Sequence, residues 1–140
     1  MIWMKTEVLK QCLIILTLSV TGAAYSLVSG ISPLPWAEPE LAPGEIRVAD
    51  ARMMDAIWID ARPFEEYERA HIPEALSFDA GAWDASLIAL MDVWLAGPRP
   101  IIVYCGSESC GTSRQVAERL RDALPDAEIY SLKGGWDAWQ

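Results

Sequence analysis

Basic charge is what this sequence has least of. Eleven lysines and arginines stand against twenty aspartates and glutamates in 140 residues, a balance that excludes the phosphate-contacting footprint of a nucleic-acid partner. Three cysteines are too few for a disulfide framework, so any thiol role has to be local. There is one histidine, His71, and no metal-ligand spacing, phosphate-cradling glycine loop or dinucleotide fingerprint. No metal and no cofactor are therefore expected. Internal repeats and low-complexity tracts are lacking too. Charge of either sign vanishes between Gln11 and Ala37.

That uncharged stretch is the first positive signal. The run from Cys12 to Val20 is densely apolar, and Ala23, Ala24, Tyr25, Leu27, Val28 and Ile31 prolong it to about 20 residues, enough to cross a ~30 Å hydrocarbon core. We expect a short cytoplasmic amino terminus over residues 1–10 and a transmembrane anchor or signal segment over 11–31. Lys5 and Lys10 precede the segment and Glu38, Glu40 and Glu45 follow it, which favours export of the carboxy-terminal part to a periplasmic or other extracytoplasmic space. A cleaved signal peptide is the alternative, with Gly22, Ala23 and Ala24 as the small residues at the cut and a secreted domain as the product. The apolar residues beyond that cut favour the uncleaved, single-pass anchor. Lys10 and Gln11 directly before Cys12 argue against a lipoprotein signal.

Four prolines between Ser32 and Gly44 make residues 32–44 a semi-rigid linker, with Trp36 suited either to a membrane interface or to packing on the domain. Residues 45–140 then alternate short apolar runs with helical patterns. Strands are expected at 57–59, 75–78, 101–104 and 128–131. Helices are expected at 63–69, with Pro63 in the first turn, at 83–95, stopped by Gly97 and Pro98, from Thr112 to Pro125, and at 136–139. Such alternation implies an α/β fold with a mainly parallel sheet covered on both faces.

In open parallel sheets, sites form beyond the carboxyl ends of the strands. Cys105 lies there, directly after the uninterrupted apolar run Ile101–Tyr104. Gly106, Ser107, Glu108, Ser109, Cys110 and Gly111 follow, and Thr112 with Gln115 has the spacing of a capping box. A helix amino terminus and a tight loop favour negative charge, and a thiolate held there is a nucleophile toward sulfur. Glu108 opposes this, and Arg114 offsets it if its side chain turns back. The plain alternative is that Cys105 is a small hydrophobe in a buried strand end.

Several separate stretches, in order, complete the picture: Ile59-Asp60-Ala61-Arg62, Glu66-Tyr67, His71-Ile72-Pro73-Glu74-Ala75, Val103-Tyr104-Cys105, and Leu132-Lys133-Gly134-Gly135-Trp136 with Trp139. Together they resemble the successive motifs of rhodanese-like sulfurtransferase domains over about residues 45–140. The resemblance implies a five-stranded parallel sheet flanked by helices, with Cys105 as the nucleophile that carries sulfane sulfur as a persulfide. It implies a substrate-binding loop made of Gly106, Ser107, Glu108, Ser109 and Gly111, closed by Thr112. Asp60, Arg62 and Arg114 are supporting residues, the first two as a structural charge pair, and His71 belongs to a structural motif.

The chain also departs from the family pattern. The loop is one or two residues longer than is usual and holds no lysine or arginine, so thiosulfate is expected to be a poor donor. Ala70 and Glu74 stand where glycine is common. The related phosphatase-like branch needs an arginine six residues after the cysteine, where this chain has Gly111; a phosphatase is therefore excluded, since phosphoryl transfer depends on a cationic clamp. Cys110 is the candidate resolving thiol for a reversible disulfide with Cys105, or a small residue filling a turn. Three functions follow: a sulfurtransferase using a small sulfur-containing substrate or thiol acceptor, a thiol–disulfide protein with a membrane redox partner, or a non-catalytic rhodanese-like binding module.

Overall fold

The computed structural model describes residues 2–29, 40–107 and 111–140, with the side chains of 2–7 excepted. Most of the expected linker, with Trp36, and the loop residues Glu108, Ser109 and Cys110 lie outside the described residues. Two compact units are present, residues 1–40 and 41–140.

The first unit is one helix, α1 (Ile2–Val28). It begins within the stretch expected to be a short amino terminus. Val8–Val28 is long and apolar enough to cross a membrane, a test that a signal sequence also passes; its 21 residues span about 32 Å. The hydroxyls within it bond back to their own helix, Thr17 Oγ1 to the Leu13 carbonyl (3.0 Å) and Ser19 Oγ to the Ile15 carbonyl (2.9 Å). These polar groups thus need no water, as an apolar surrounding requires.

The second unit holds β1 (Glu45–Ile46), α2 (Val48–Ala51), β2 (Ile57–Asp60), α3 (Phe64–Arg69), β3 (Leu76–Ser77), α4 (Trp83–Ala96), β4 (Ile101–Tyr104), α5 (Thr112–Ala123), β5 (Ile129–Leu132) and α6 (Gly135–Trp139). The five strands pair in parallel in the order β1-β5-β4-β2-β3. β2 and β4 run in register, Ile59 beside Val103 and Asp60 beside Tyr104. Alternation along the strands sends residues to opposite faces. Ile57, Ile59, Ile101, Val103 and Ile129 join Leu90 of α4 and Val116, Ala117 and Leu120 of α5 in one core. Trp58, Ile102, Tyr104 and Leu132 join Ala51 of α2 and Trp136 and Trp139 of α6 in the other. The α/β sheet with helices on both faces is thus as the sequence implies. Each fully buried Ile, Val or Leu contributes about 1.5–3 kcal/mol, so these central strands are the most heavily stabilised part of the chain.

Details differ from expectation. β1 and α2 carry no legible pattern of their own; β1 exists because its ladder to β5 supplies the bonds, including Ser131 N–H to the Gly44 carbonyl (2.9 Å). Gly111, not Thr112, holds the cap position of α5, and its carbonyl accepts from Gln115 N–H (3.1 Å). The helix starts where the capping box suggested, but Thr112 is already its first residue. Pro63 caps α3 from just outside it. Glu74, where glycine is common in related sequences, has φ +65°, a left-handed conformation that costs a side-chain-bearing residue roughly 1–2 kcal/mol.

Candidate active site at the carboxyl end of the sheet

β2 and β4 end side by side, and the two residues that follow them are Ala61 and Cys105. Ala61 N–H donates to the Tyr104 carbonyl (2.9 Å), which prolongs the ladder to the edge of the site. Cys105 is 1 % exposed. Its Sγ lies 3.3 Å from Ser113 Oγ and 3.6 Å from the Ser107 carbonyl oxygen. Ser113 Oγ is in turn 3.3 Å from Ser131 Oγ of β5, and both serines are buried. The carbonyl can only accept, so it favours the protonated thiol. The serine hydroxyl can accept from S–H or rotate to donate to S⁻. Ser113 is also the second residue of α5, whose first N–H groups have no partner within the helix. Thiol and thiolate therefore both have hydrogen-bonding support here.

The backbone under the thiol is clamped by α6. Trp136 N–H donates to the Cys105 carbonyl (2.7 Å) and Asp137 N–H to the Gly106 carbonyl (3.0 Å). So close an approach requires glycine at 135: φ is +57°, and a Cβ there would sit 2.4 Å from the Cys105 oxygen.

Asp60 and Arg62 form a buried ion pair, with Nη2 2.6 Å from Oδ2. Arg62 Nη2 also donates to the Ala70 carbonyl (2.7 Å), and its guanidinium lies 4.5 Å from the centre of the Trp136 ring. The hydrogen bond to Asp60 raises the Arg62 pKa above its ordinary value despite burial, so this cation is permanent. Tyr104 Oη donates to Asp60 Oδ2 (2.8 Å) and accepts from Ile72 N–H (3.1 Å). Burial first, then the neighbouring Asp60, pushes the Tyr104 phenol up from its usual pKa, and it stays protonated. The network thus ties the ends of β2 and β4 to the segment before β3 and, through Trp136, to the Cys105 carbonyl. Among the described residues no buried side-chain nitrogen or oxygen lacks a partner.

Other residues singled out from sequence fall elsewhere. Arg114 does not turn back to the loop: Nη2 binds Glu45 Oε1 (2.7 Å), and Lys133 Nζ lies 3.6 Å from Glu45 Oε2. Burial alone would raise the Glu45 carboxyl, but the Ala42 N–H, the Arg114 hydrogen bond and the two cations outweigh it and hold its pKa below the usual value. His71 is exposed, stacks on Tyr67 at 4.1 Å and pairs through Nδ1 with the Tyr67 carbonyl (2.8 Å), which places it as a brace for α3. Thr112 lines an open cleft of about 600 Å³ together with Ala61, Arg62, Phe64, Glu65 and Asp79. Since Ala61 flanks Cys105 across the ladder and Thr112 precedes Ser113, the cleft borders the thiol's turn. No group of three or more His, Cys, Asp or Glu suited to a metal occurs among the described residues.

Sequence reasoning missed Ser113, Ser131 and the clamp at Gly135. Ser131, a buried serine within a run of apolar strand residues, was the available signal. Ser113 and Gly135 act through contacts that form only in the fold.

A strand-ended cysteine at the start of a helix, on a parallel sheet of this order, defines the class. The rhodanese-like domain matches residues 47–140, and the chain belongs to that family. Among solved structures it is similar to the BH2092 protein from Bacillus halodurans (24 % identity, TM-score 0.53, 68 % of this chain and 69 % of that one). It is similar to an As–Sb reductase from Leishmania major (15 %, TM-score 0.58, 68 % and 74 %). A third likeness is to thiosulfate sulfurtransferase from Pseudomonas aeruginosa (21 %, TM-score 0.52, 74 % and 20 %). At these identities the likeness is one of fold.

Proposed function

We propose that this chain is a membrane-tethered sulfurtransferase whose Cys105 carries sulfane sulfur as a persulfide. The observation that carries the reading is the thiol itself. It follows the central strand β4, sits within reach of Ser113 at the start of α5, and lies across the ladder from Ala61, which lines an open cleft, while α6 clamps its backbone.

In the first half-reaction the Cys105 thiolate attacks the sulfane sulfur of the donor. A new S–S bond forms on Sγ, the donor's bond to that sulfur breaks, and the rest of the donor leaves with the electron pair. An acceptor thiolate then attacks the outer sulfur, and Cys105 leaves as the thiolate. No external oxidant or reductant is consumed. Ser113 and the free N–H groups at the start of α5 supply donors for the negative sulfur in both states. Helix α1 serves as an uncleaved anchor, with Lys5 and Lys10 on the cytoplasmic side and the domain exported. Protease protection in sealed vesicles tests that topology.

The activity is tested by mass spectrometry of the full chain in detergent after exposure to sulfane-sulfur donors. Gain of one sulfur atom on Cys105, lost again on addition of a thiol, is expected. Absence of that adduct with thiosulfate, polysulfide and organic hydropersulfides alike would refute the reading.

A further inference from the structure

Resting on that reading, we propose that the cleft beside Cys105 selects cationic organic persulfides and rejects anionic donors, with Glu65 and Asp79 as the specificity-determining carboxylates. Two independent observations lead there.

The first is where the cations are spent. Arg62, the cation lining the cleft, is held by Asp60 at 2.6 Å. Arg114 and Lys133 are held by Glu45, Arg99 by Asp55, and Arg121 by the Gly44 and Ile129 carbonyls. Arg52 bonds the Trp139 carbonyl, Arg119 lies over the Trp83 ring, and Arg47 is engaged as well. Arg69 bonds the Glu65 carbonyl and lies in a separate shallow depression with Arg62 and Glu66. Among the residues lining the cleft, the one cation, Arg62, is thus already neutralised by Asp60.

The second is what the cleft offers instead. Glu65 and Asp79 line it, and Phe64, 57 % exposed, lines it with a ring stacked on Tyr67. Carboxylates together with an exposed aromatic face suit an ammonium group. Seventeen acids against nine bases from Leu41 onward add a field of the same sign. The fitting donor is a short hydropersulfide, R–S–SH, whose R group ends in an ammonium. Cys105 S⁻ takes its terminal sulfur, the donor S–S bond breaks, and R–S⁻ leaves.

The test uses the full chain in detergent and three donors with the same reacting group, the 2-aminoethyl, 2-hydroxyethyl and 2-sulfonatoethyl hydropersulfides. Loading of Cys105 is followed by mass at low ionic strength. The cationic donor should load about fivefold or more faster than the anionic one, the neutral donor lying between, and added salt should compress the series. The double variant Glu65→Gln/Asp79→Asn should shrink the cation-to-anion ratio by at least about twofold, while Asp126→Asn, distant from the cleft, should not. Equal rates, a faster anion, or a ratio untouched by the double variant would overturn the inference while leaving the persulfide intact. Failure of all three donors to load while thiosulfate or polysulfide loads would likewise overturn the inference alone, whereas failure of every donor would overturn the persulfide reading and this one with it.

Discussion

Replacing Gly135 by alanine probes how the fold holds the thiol. The added Cβ would meet the Cys105 oxygen at 2.4 Å and the Gly106 carbonyl carbon at 3.3 Å, on a backbone with φ +57°. Relief requires α6 to move, and the bonds from Trp136 and Asp137 to the loop carbonyls are then lost. A left-handed alanine costs roughly 1–2 kcal/mol, overpacking about 1–3, and each lost hydrogen bond about 1. The total is on the order of 4–7 kcal/mol, which for a domain of this size lowers Tm by at least about 16 °C. Alkylation of Cys105 by iodoacetamide, compared with wild type below both melting transitions, should change markedly, because the backbone that aims the thiol has shifted. Gly134→Ala is the control: φ is +78°, but its Cβ meets only the Ala138 methyl at 2.7 Å, within α6 itself. Thermal melts and alkylation rates of both variants check the argument. If Gly135→Ala melts within about 3 °C of wild type, less than 1 kcal/mol on this scale, and reacts at the wild-type rate, the clamp does not act as described.

Three further perturbations have definite outcomes. Asp60→Asn takes the close carboxylate from the buried Arg62 charge, leaving it the Ala70 carbonyl, aromatic faces and Glu66 at 3.8 Å, and should cost about 3–5 kcal/mol, read as a fall in Tm. Ser113→Ala removes the hydroxyl 3.3 Å from Sγ; loss of a hydrogen bond to a charged group should move the pH profile of Cys105 alkylation upward by about 1 unit, whereas an unchanged profile would show that the serine does not support the thiolate. Glu45 has its folded pKa below the unfolded value, so its contribution to stability is present above the unfolded pKa of about 4.3 and is lost as pH falls through the folded one. In acid titrations the difference between wild type and Glu45→Gln should be fully present above about pH 4.3 and vanish at lower pH.

Much of the fold was legible because its signals are local. Ile101-Ile102-Val103-Tyr104 lacks alternation because both faces of β4 are covered, and Val116 and Leu120 sit one helical turn apart because α5 buries one side. β1 was illegible because two residues form a strand only when β5 supplies their partners. Cys105 could be placed from its position after β4 alone. Arg114 could not, since the pull of Glu45, 69 positions earlier, appears only after folding. Ser113, Ser131 and Gly135 have the same cause: each acquires its role through an approach between elements distant in sequence. Their identities were visible, but not what they touch.

The most direct test of the central claim is the mass of the full chain after donor exposure, wild type beside Cys105→Ser and Cys110→Ser. The account predicts one thiol-removable sulfur atom on Cys105 in wild type and in Cys110→Ser, and none in Cys105→Ser. Sulfur that loads equally in Cys105→Ser, or loads on no variant with any donor, would contradict it.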